Sequence, residues 1–169
     1  DPAAMAKWLP PNGFTGKVHE LDARVGGAHR MSFTNFGTGA SHSFGGRYLE
    51  LKPNERLRYT DKFDDPNLPG EMTTTVSLKA VSCGTELNVV QEGVPEVIPA
   101  EACYLGWQES LDALARLVDP EIPGYRGSRS WRTSTAVRNT ASGMGRSRLS
   151  QATRAAAGTF KRRLSRSSP

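Results

Sequence analysis

The stretch AEACYLGWQESLDALARLV, residues 100–118, decides the fold. Its apolar residues recur at intervals of three and four, which is typical of one face of an α-helix. These residues are Tyr104, Trp107, Leu111, Leu114 and Val118. Because the chain before this helix consists of short segments with alternating apolar and polar residues, we expect the apolar face to pack against a curved β-sheet.

Six segments with a two-residue alternation predict six β-strands. Their connections are short, so neighbouring strands pair antiparallel and the fold class is α+β. A short helix precedes them, with Asp1 as its N-cap and Pro2 at its first helical position. Two of the predicted strands form a hairpin within residues 14–35, and the others cover residues 45–52, 56–63, 72–81 and 85–93.

The charges divide the chain into two parts. Residues 1–124 contain 11 Lys/Arg and all 17 Asp/Glu, whereas residues 125–169 contain the other 11 Lys/Arg and no acidic residue. The net charge of +5 therefore comes from the C-terminal part, and it does not indicate nucleic-acid binding by the folded part.

We accordingly predict a domain over residues 1–123 and a basic tail over residues 124–169. The tail is rich in Arg, Ser, Thr, Ala and Gly and has few large aliphatic residues. It cannot bury enough apolar surface to offset the entropy of ordering, so we expect it to be disordered. Its positive charge attracts anionic partners without sequence specificity.

The cysteines and the hydropathy bear on localisation. Cys83 and Cys103 show neither a CxxC pattern nor a metal-binding spacing, which is typical of free thiols in a reducing compartment. No apolar run approaches the roughly 18 residues of a membrane span, and no signal-peptide pattern is present. We therefore expect a soluble, cytoplasmic protein without membrane insertion.

Several motifs resemble one known family in their order and spacing. They run from Trp8 through LDARVGG (21–27), GGRYLELKPNERL (45–57) and EMTTTV (71–76) to Gly106-Trp107. The combination resembles the activator-of-heat-shock-protein-90-ATPase-like branch of the START-like (SRPBCC, helix-grip) superfamily, over residues 1–123. The basic tail is not part of the family pattern.

The resemblance implies a helix-grip fold, with an antiparallel sheet curled around the C-terminal helix and an apolar cavity between them. Superfamily members bind lipids, polyketides, hormones or other hydrophobic ligands. The family pattern begins with a further strand and helix before Trp8, and the first strand and helix of that pattern are absent from this sequence. We therefore expect an unpaired sheet edge that allows self-association.

The predicted inward faces of sheet and helix give the candidate ligand-binding residues. The alternation also places Leu49 on the inward face. These positions either line a ligand cavity or fill a core in which they contact only one another. The candidates are Phe33, Leu57, Tyr59, Asp61, Met72, Thr74, Val76, Val89, Gln91, Trp107 and Leu111.

Four of these candidates are polar: Tyr59, Asp61, Thr74 and Gln91. A buried polar group costs about 1–3 kcal/mol unless it is paired. They therefore either pair with one another and with water, or line a wet pocket and orient a ligand. Tyr59 or Asp61 could also act as an acid or base in a cyclase-like reaction.

The remaining motifs do not indicate a metal, a cofactor or a catalytic nucleophile. Pairing the first hairpin about Val25 and Gly26 puts His29 opposite Asp22 and away from His19, so we expect surface or strand-spacer histidines. Gly45-Gly46 is interpreted as a turn or bulge element rather than a phosphate loop.

We therefore predict a protein that binds a small hydrophobic ligand rather than an enzyme, and no cofactor. The alternatives are a co-chaperone or protein-interaction module, and a polyketide cyclase or aromatase-like enzyme.

Overall fold

The computed structural model of the chain describes residues 1–82, 84–118 and 133–138. Seven strands form one sheet in their sequence order, and two helices accompany it. The elements are α1 (Pro2–Trp8), β1 (Phe14–Leu21), β2 (Ala28–Asn35), β3 (Ser41–Lys52), β4 (Arg56–Phe63), β5 (Met72–Val81), β6 (Gly84–Glu92), α2 (Ala100–Val118) and β7 (Thr133–Arg138).

The structure confirms the predicted α+β class and helix-grip architecture. Strands β1 to β6 pair antiparallel with their sequence neighbours, and the C-terminal helix follows them. Leu111 of α2 is only 2% exposed, so the centre of the helix presents its predicted face to the sheet. The last turn differs, because Val118 is 55% exposed although the helical spacing put it on the inward face.

The seventh strand was not predicted. Residues Thr133–Arg138 pair with β6 in parallel, although composition predicts disorder for this segment. Its sequence TSTAVR has a β-branched residue at every second position, a pattern that favours a strand at an open sheet edge. The rest of the predicted tail lies outside the described residues.

Helix α1 forms for the predicted reason and is linked to α2. The Asp1 side chain accepts hydrogen bonds from the backbone N–H groups of Ala3 and Ala4, as an N-cap does. The hydroxyl of Ser110 in α2 donates to the carbonyl oxygen of Leu9 at 2.7 Å. This bond brings the end of α1 beside the middle of α2.

Two β-bulges displace residues from their predicted positions. A register shift between Val18 and Glu20 places Leu21 opposite His29, where simple pairing about the turn predicted Asp22. A second shift, between Tyr48 and Glu50, turns Leu49 outward to 45% exposure. A bulge adds one residue to one strand and bends it, so the alternation changes face at that point.

A hydrogen bond between two side chains joins the sheet to α2. The indole Nε1–H of Trp107 donates to Oε1 of Gln91 on β6 at 3.1 Å. Gln91 is 9% exposed, so this acceptor lies where water cannot easily replace it. The bond fixes the orientation of the largest side chain on the inward face of the helix.

We expect the substitution Gln91→Leu to lower the free energy of unfolding by about 1–2 kcal/mol, because it leaves the indole N–H of Trp107 without its acceptor. Urea denaturation measures the loss. The double variant Gln91→Leu/Trp107→Phe removes donor and acceptor together and serves as the control. The single variant Trp107→Phe completes the cycle. If the stability losses of Gln91→Leu and Trp107→Phe add fully in the double variant, the bond does not couple sheet and helix.

Candidate functional site

A cavity of about 370 Å³ lies between the inner face of the sheet, α2 and the segment after α1. Its wall is mostly apolar and contains several aromatic rings. The residues that line it are Leu9, Pro11, Phe14, Phe33, His42, Phe44, Tyr59, Asp61, Phe63, Met72, Gln91, Ile98, Ala102, Cys103, Gly106, Trp107 and Ser110.

Six of the sequence candidates lie in this wall. They come from β2, β4, β5, β6 and α2, so the fold brings together residues that are far apart in the sequence. They are Phe33, Tyr59, Asp61, Met72, Gln91 and Trp107.

The other five candidates lie outside the wall: Leu57, Thr74, Val76, Val89 and Leu111. The register explains three of the five. Tyr59, Thr74 and Gln91 form one row across the sheet. The next row contains Leu57, Val76 and Val89, and it lies beyond that end of the cavity. Thr74, Val89 and Leu111 are at most 2% exposed, as expected for a filled core.

Some wall residues were missed at the sequence level. His42 and Phe44 belong to β3, which begins at Ser41 and not at Gly45 as predicted. The alternation of His42 and Phe44 could have extended the strand to this point. Leu9, Pro11 and Ile98 lie in connections, where no periodic pattern indicates the side-chain direction.

His42 lies within a cluster of four phenylalanine rings. Its ring centroid is 5.8 to 6.3 Å from those of Phe14, Phe33, Phe44 and Phe63, which belong to β1, β2, β3 and β4. Burial among these rings lowers the pKa of His42 below its ordinary value of 6.5, because the charged imidazolium loses its hydration there. The cluster therefore favours a neutral imidazole at the cavity wall.

We expect His42 to destabilise the fold in acid. Since its pKa is lowered on folding, the stability that depends on the neutral ring is complete above about pH 6.5 and is lost as the pH falls through the lowered pKa. His42→Phe should therefore lose less stability than the parent between about pH 7 and about pH 5. Urea denaturation across this range measures the difference, and parallel curves would contradict the prediction.

His29 and Asp61 form a buried pair beneath the cavity. Nε2 of His29 lies 2.8 Å from Oδ1 of Asp61, and the two side chains are 4% and 8% exposed. His29 is therefore neither a surface residue nor a strand spacer, which corrects the sequence-level expectation. Burial raises the pKa of Asp61, and the hydrogen bond from His29 opposes that rise.

The pair spans an intervening strand. His29 is on β2 and Asp61 on β4, about 10 Å apart in strand spacing. The register places His29 opposite Gly46 of β3, and the pairing of Gly45 with Lys62 puts Gly46 beside Asp61. His29 and Asp61 therefore meet across β3 at Gly46, a position without a side chain.

We expect Gly46→Ala to destabilise the protein by about 3 kcal/mol or more, because the added methyl group would collide with the backbone carbonyl of Thr60. Gly106→Ala in α2 is the matched control, since nothing lies within 4 Å of the added methyl group. It should instead stabilise the helix by about 0.5–1 kcal/mol. Equal effects in urea denaturation would show that close strand packing at Gly46 is unimportant.

Two further titratable groups of the wall, Tyr59 and Cys103, are favoured in their protonated forms. Burial raises the pKa of Tyr59 well above its usual range, so its hydroxyl remains a hydrogen-bond donor and acceptor. Burial also raises the pKa of the Cys103 thiol, which disfavours a reactive thiolate.

The histidines do not converge on a common point. His19 contacts the hydroxyl of Ser32, His29 contacts Asp61, and His42 packs among phenylalanine rings. Within residues 1–82 and 84–118 and the strand β7, no group of three or more His, Cys, Asp or Glu could hold a metal ion. No helix in the same part of the chain is long and apolar enough to cross a membrane.

An antiparallel sheet that grips one long helix over an apolar cavity defines a START-like helix-grip protein. The family described as Activator of Hsp90 ATPase homolog 1-like protein matches residues 1–119, and the chain belongs to this family. This confirms the resemblance found in the sequence. No curated protein matches the chain.

Solved structures of bacterial proteins support the same assignment. The chain is 62% identical to protein CV1439 from Chromobacterium violaceum, with a TM-score of 0.69 over 72% of this chain and 84% of that one. A protein from Rhodobacter sphaeroides is 25% identical, with a TM-score of 0.58 over 70% and 78% of the two chains. Protein Ms6760 from Mycobacterium smegmatis, 19% identical with a TM-score of 0.54 over 72% and 80%, shares the fold.

Proposed function

We propose that this protein binds one small, mostly apolar molecule in the cavity between the sheet and α2. The observation that supports the proposal is a void of about 370 Å³ walled largely by aromatic and aliphatic side chains. Ligand sites of proteins are typically apolar cavities with a few polar groups that fix orientation. Here Asp61, Gln91 and His42 supply such groups.

The size of the cavity limits the ligand. Protein ligand pockets range over about 300–1,000 Å³, and this one is near the lower limit. A fused ring system or a short alkyl chain fits that volume better than a diacyl lipid. The position of Trp107, held by Gln91, closes the wall on the helix side.

Two alternatives remain predictions. Asp61 and Tyr59 both line the cavity, so an acid–base reaction on the bound molecule can be tested in variants of either residue. The co-chaperone alternative follows from the family relationship, and binding to the middle domain of the chaperone tests it. A cytoplasmic location likewise remains a prediction.

Binding of N-phenyl-1-naphthylamine, a neutral dye that fluoresces in apolar sites, tests the proposal. We expect saturable binding at one site per chain. Gly106→Leu should abolish it, because Gly106 lines the cavity and a leucine there would occupy the void.

Asp112→Leu is the matched control, since it introduces the same side chain on the exposed side of α2 and should leave dye binding unchanged. Dye binding that survives Gly106→Leu, or no saturable binding by the parent protein, would overturn the proposal. Native mass spectrometry of the purified protein provides an independent search for a retained ligand.

A further inference from the structure

We propose that the cavity selects ligands whose polar end is a protonated amine or another organic cation. This inference rests on the proposed function and specifies the class of ligand. It follows from three features of the wall: one carboxylate, no basic side chain with a permanent charge, and a set of aromatic rings.

The described residues of the wall include an acidic side chain but neither Lys nor Arg. Asp61 is the only acidic residue among the described residues that line the cavity, and no Lys or Arg is among them. His42, the remaining basic group there, is surrounded by phenylalanine rings that disfavour its charged form. An ionised Asp61 therefore meets no opposite charge across the cavity.

His29 contacts Asp61 from outside the cavity wall. Its Nε2 makes the hydrogen bond with Oδ1 of Asp61, and its Nδ1 is buried without a partner among the described residues. His29 is not among the residues that line the cavity, so a cation that enters the cavity meets Asp61 and not His29.

Asp61 brings its carboxyl group to the cavity. Its Oδ1 makes the hydrogen bond with His29, and the residue lines the cavity. Burial raises the pKa of Asp61, which means that burial disfavours its ionised form. A cation beside Asp61 stabilises that ionised form. An ammonium group supplies both a positive charge and N–H donors to this carboxyl group.

Aromatic rings make up much of the surrounding wall. They are Phe14, Phe33, Phe44, Phe63, Tyr59 and Trp107. The electron-rich faces of such rings attract cations, and proteins use aromatic rings to recognise quaternary ammonium groups. An anionic head group, such as that of a fatty acid, would instead approach the carboxylate of Asp61 as a like charge.

Three compounds with the same naphthalene ring test this selectivity: 1-naphthylmethylamine, 1-naphthylmethanol and 1-naphthoate. Calorimetric titration of the full chain near neutral pH gives each affinity directly. We expect the amine to bind about tenfold more tightly than the alcohol, and the naphthoate to bind most weakly.

Asp61→Asn keeps the size of the side chain and an acceptor for His29, and it should reduce the ratio of amine affinity to alcohol affinity from about tenfold to about one. Circular dichroism and retained dye binding establish that this variant is folded. If this variant fails to fold, the affinities of the three compounds for the parent protein alone test the cation preference.

The outcomes separate this inference from the proposed function. If the dye and the alcohol bind but the amine has no advantage, the cation preference is wrong and the ligand cavity stands. Tighter binding of naphthoate would overturn the inference and indicate a charged His42. If neither the dye nor any of the three compounds binds, both proposals are wrong.

Discussion

The width of the sheet is the constraint on which the rest of the structure depends. Six antiparallel strands about 4.8 Å apart form a layer roughly 24 Å wide, whereas one helix with its side chains covers about 10–12 Å. Helix α2 alone cannot cover such a face, so the sheet curls and the end of α1 packs beside α2. The space that remains between these elements is the cavity of about 370 Å³. The void is thus a result of covering a broad curved sheet with too few helices.

Sequence periodicity predicted this architecture because both sheet and helix repeat their burial pattern locally. The alternation in β4 placed Tyr59 and Asp61 on the inner face, and the helical spacing did the same for Trp107. Periodicity fails where a bulge adds one residue, as at Leu49, since no local pattern marks the change of face. Periodicity also predicts which face of the sheet a residue occupies, but not how far along the strand it lies from the cavity. For that reason Leu57 and Val76 were assigned to the cavity although they lie in the row beyond it.

The polar groups at the cavity are placed by contacts that no local sequence pattern encodes. His29 and Asp61 are 32 residues apart in the sequence and are separated by a strand in the sheet. They meet across Gly46, to which the sequence assigned only a turn or bulge role. In the same way, the aromatic cluster around His42 combines residues from four strands. Such sites can be predicted only once strand order and register are known.

The missing side chain at Gly46 also has a consequence for other members of the family. A chain that carries a larger residue at the aligned position cannot bring its third and fourth strands equally close at this point, because the extra carbon would meet main-chain atoms. A glycine at the aligned position is therefore what a relative needs in order to hold these two strands at the separation found here.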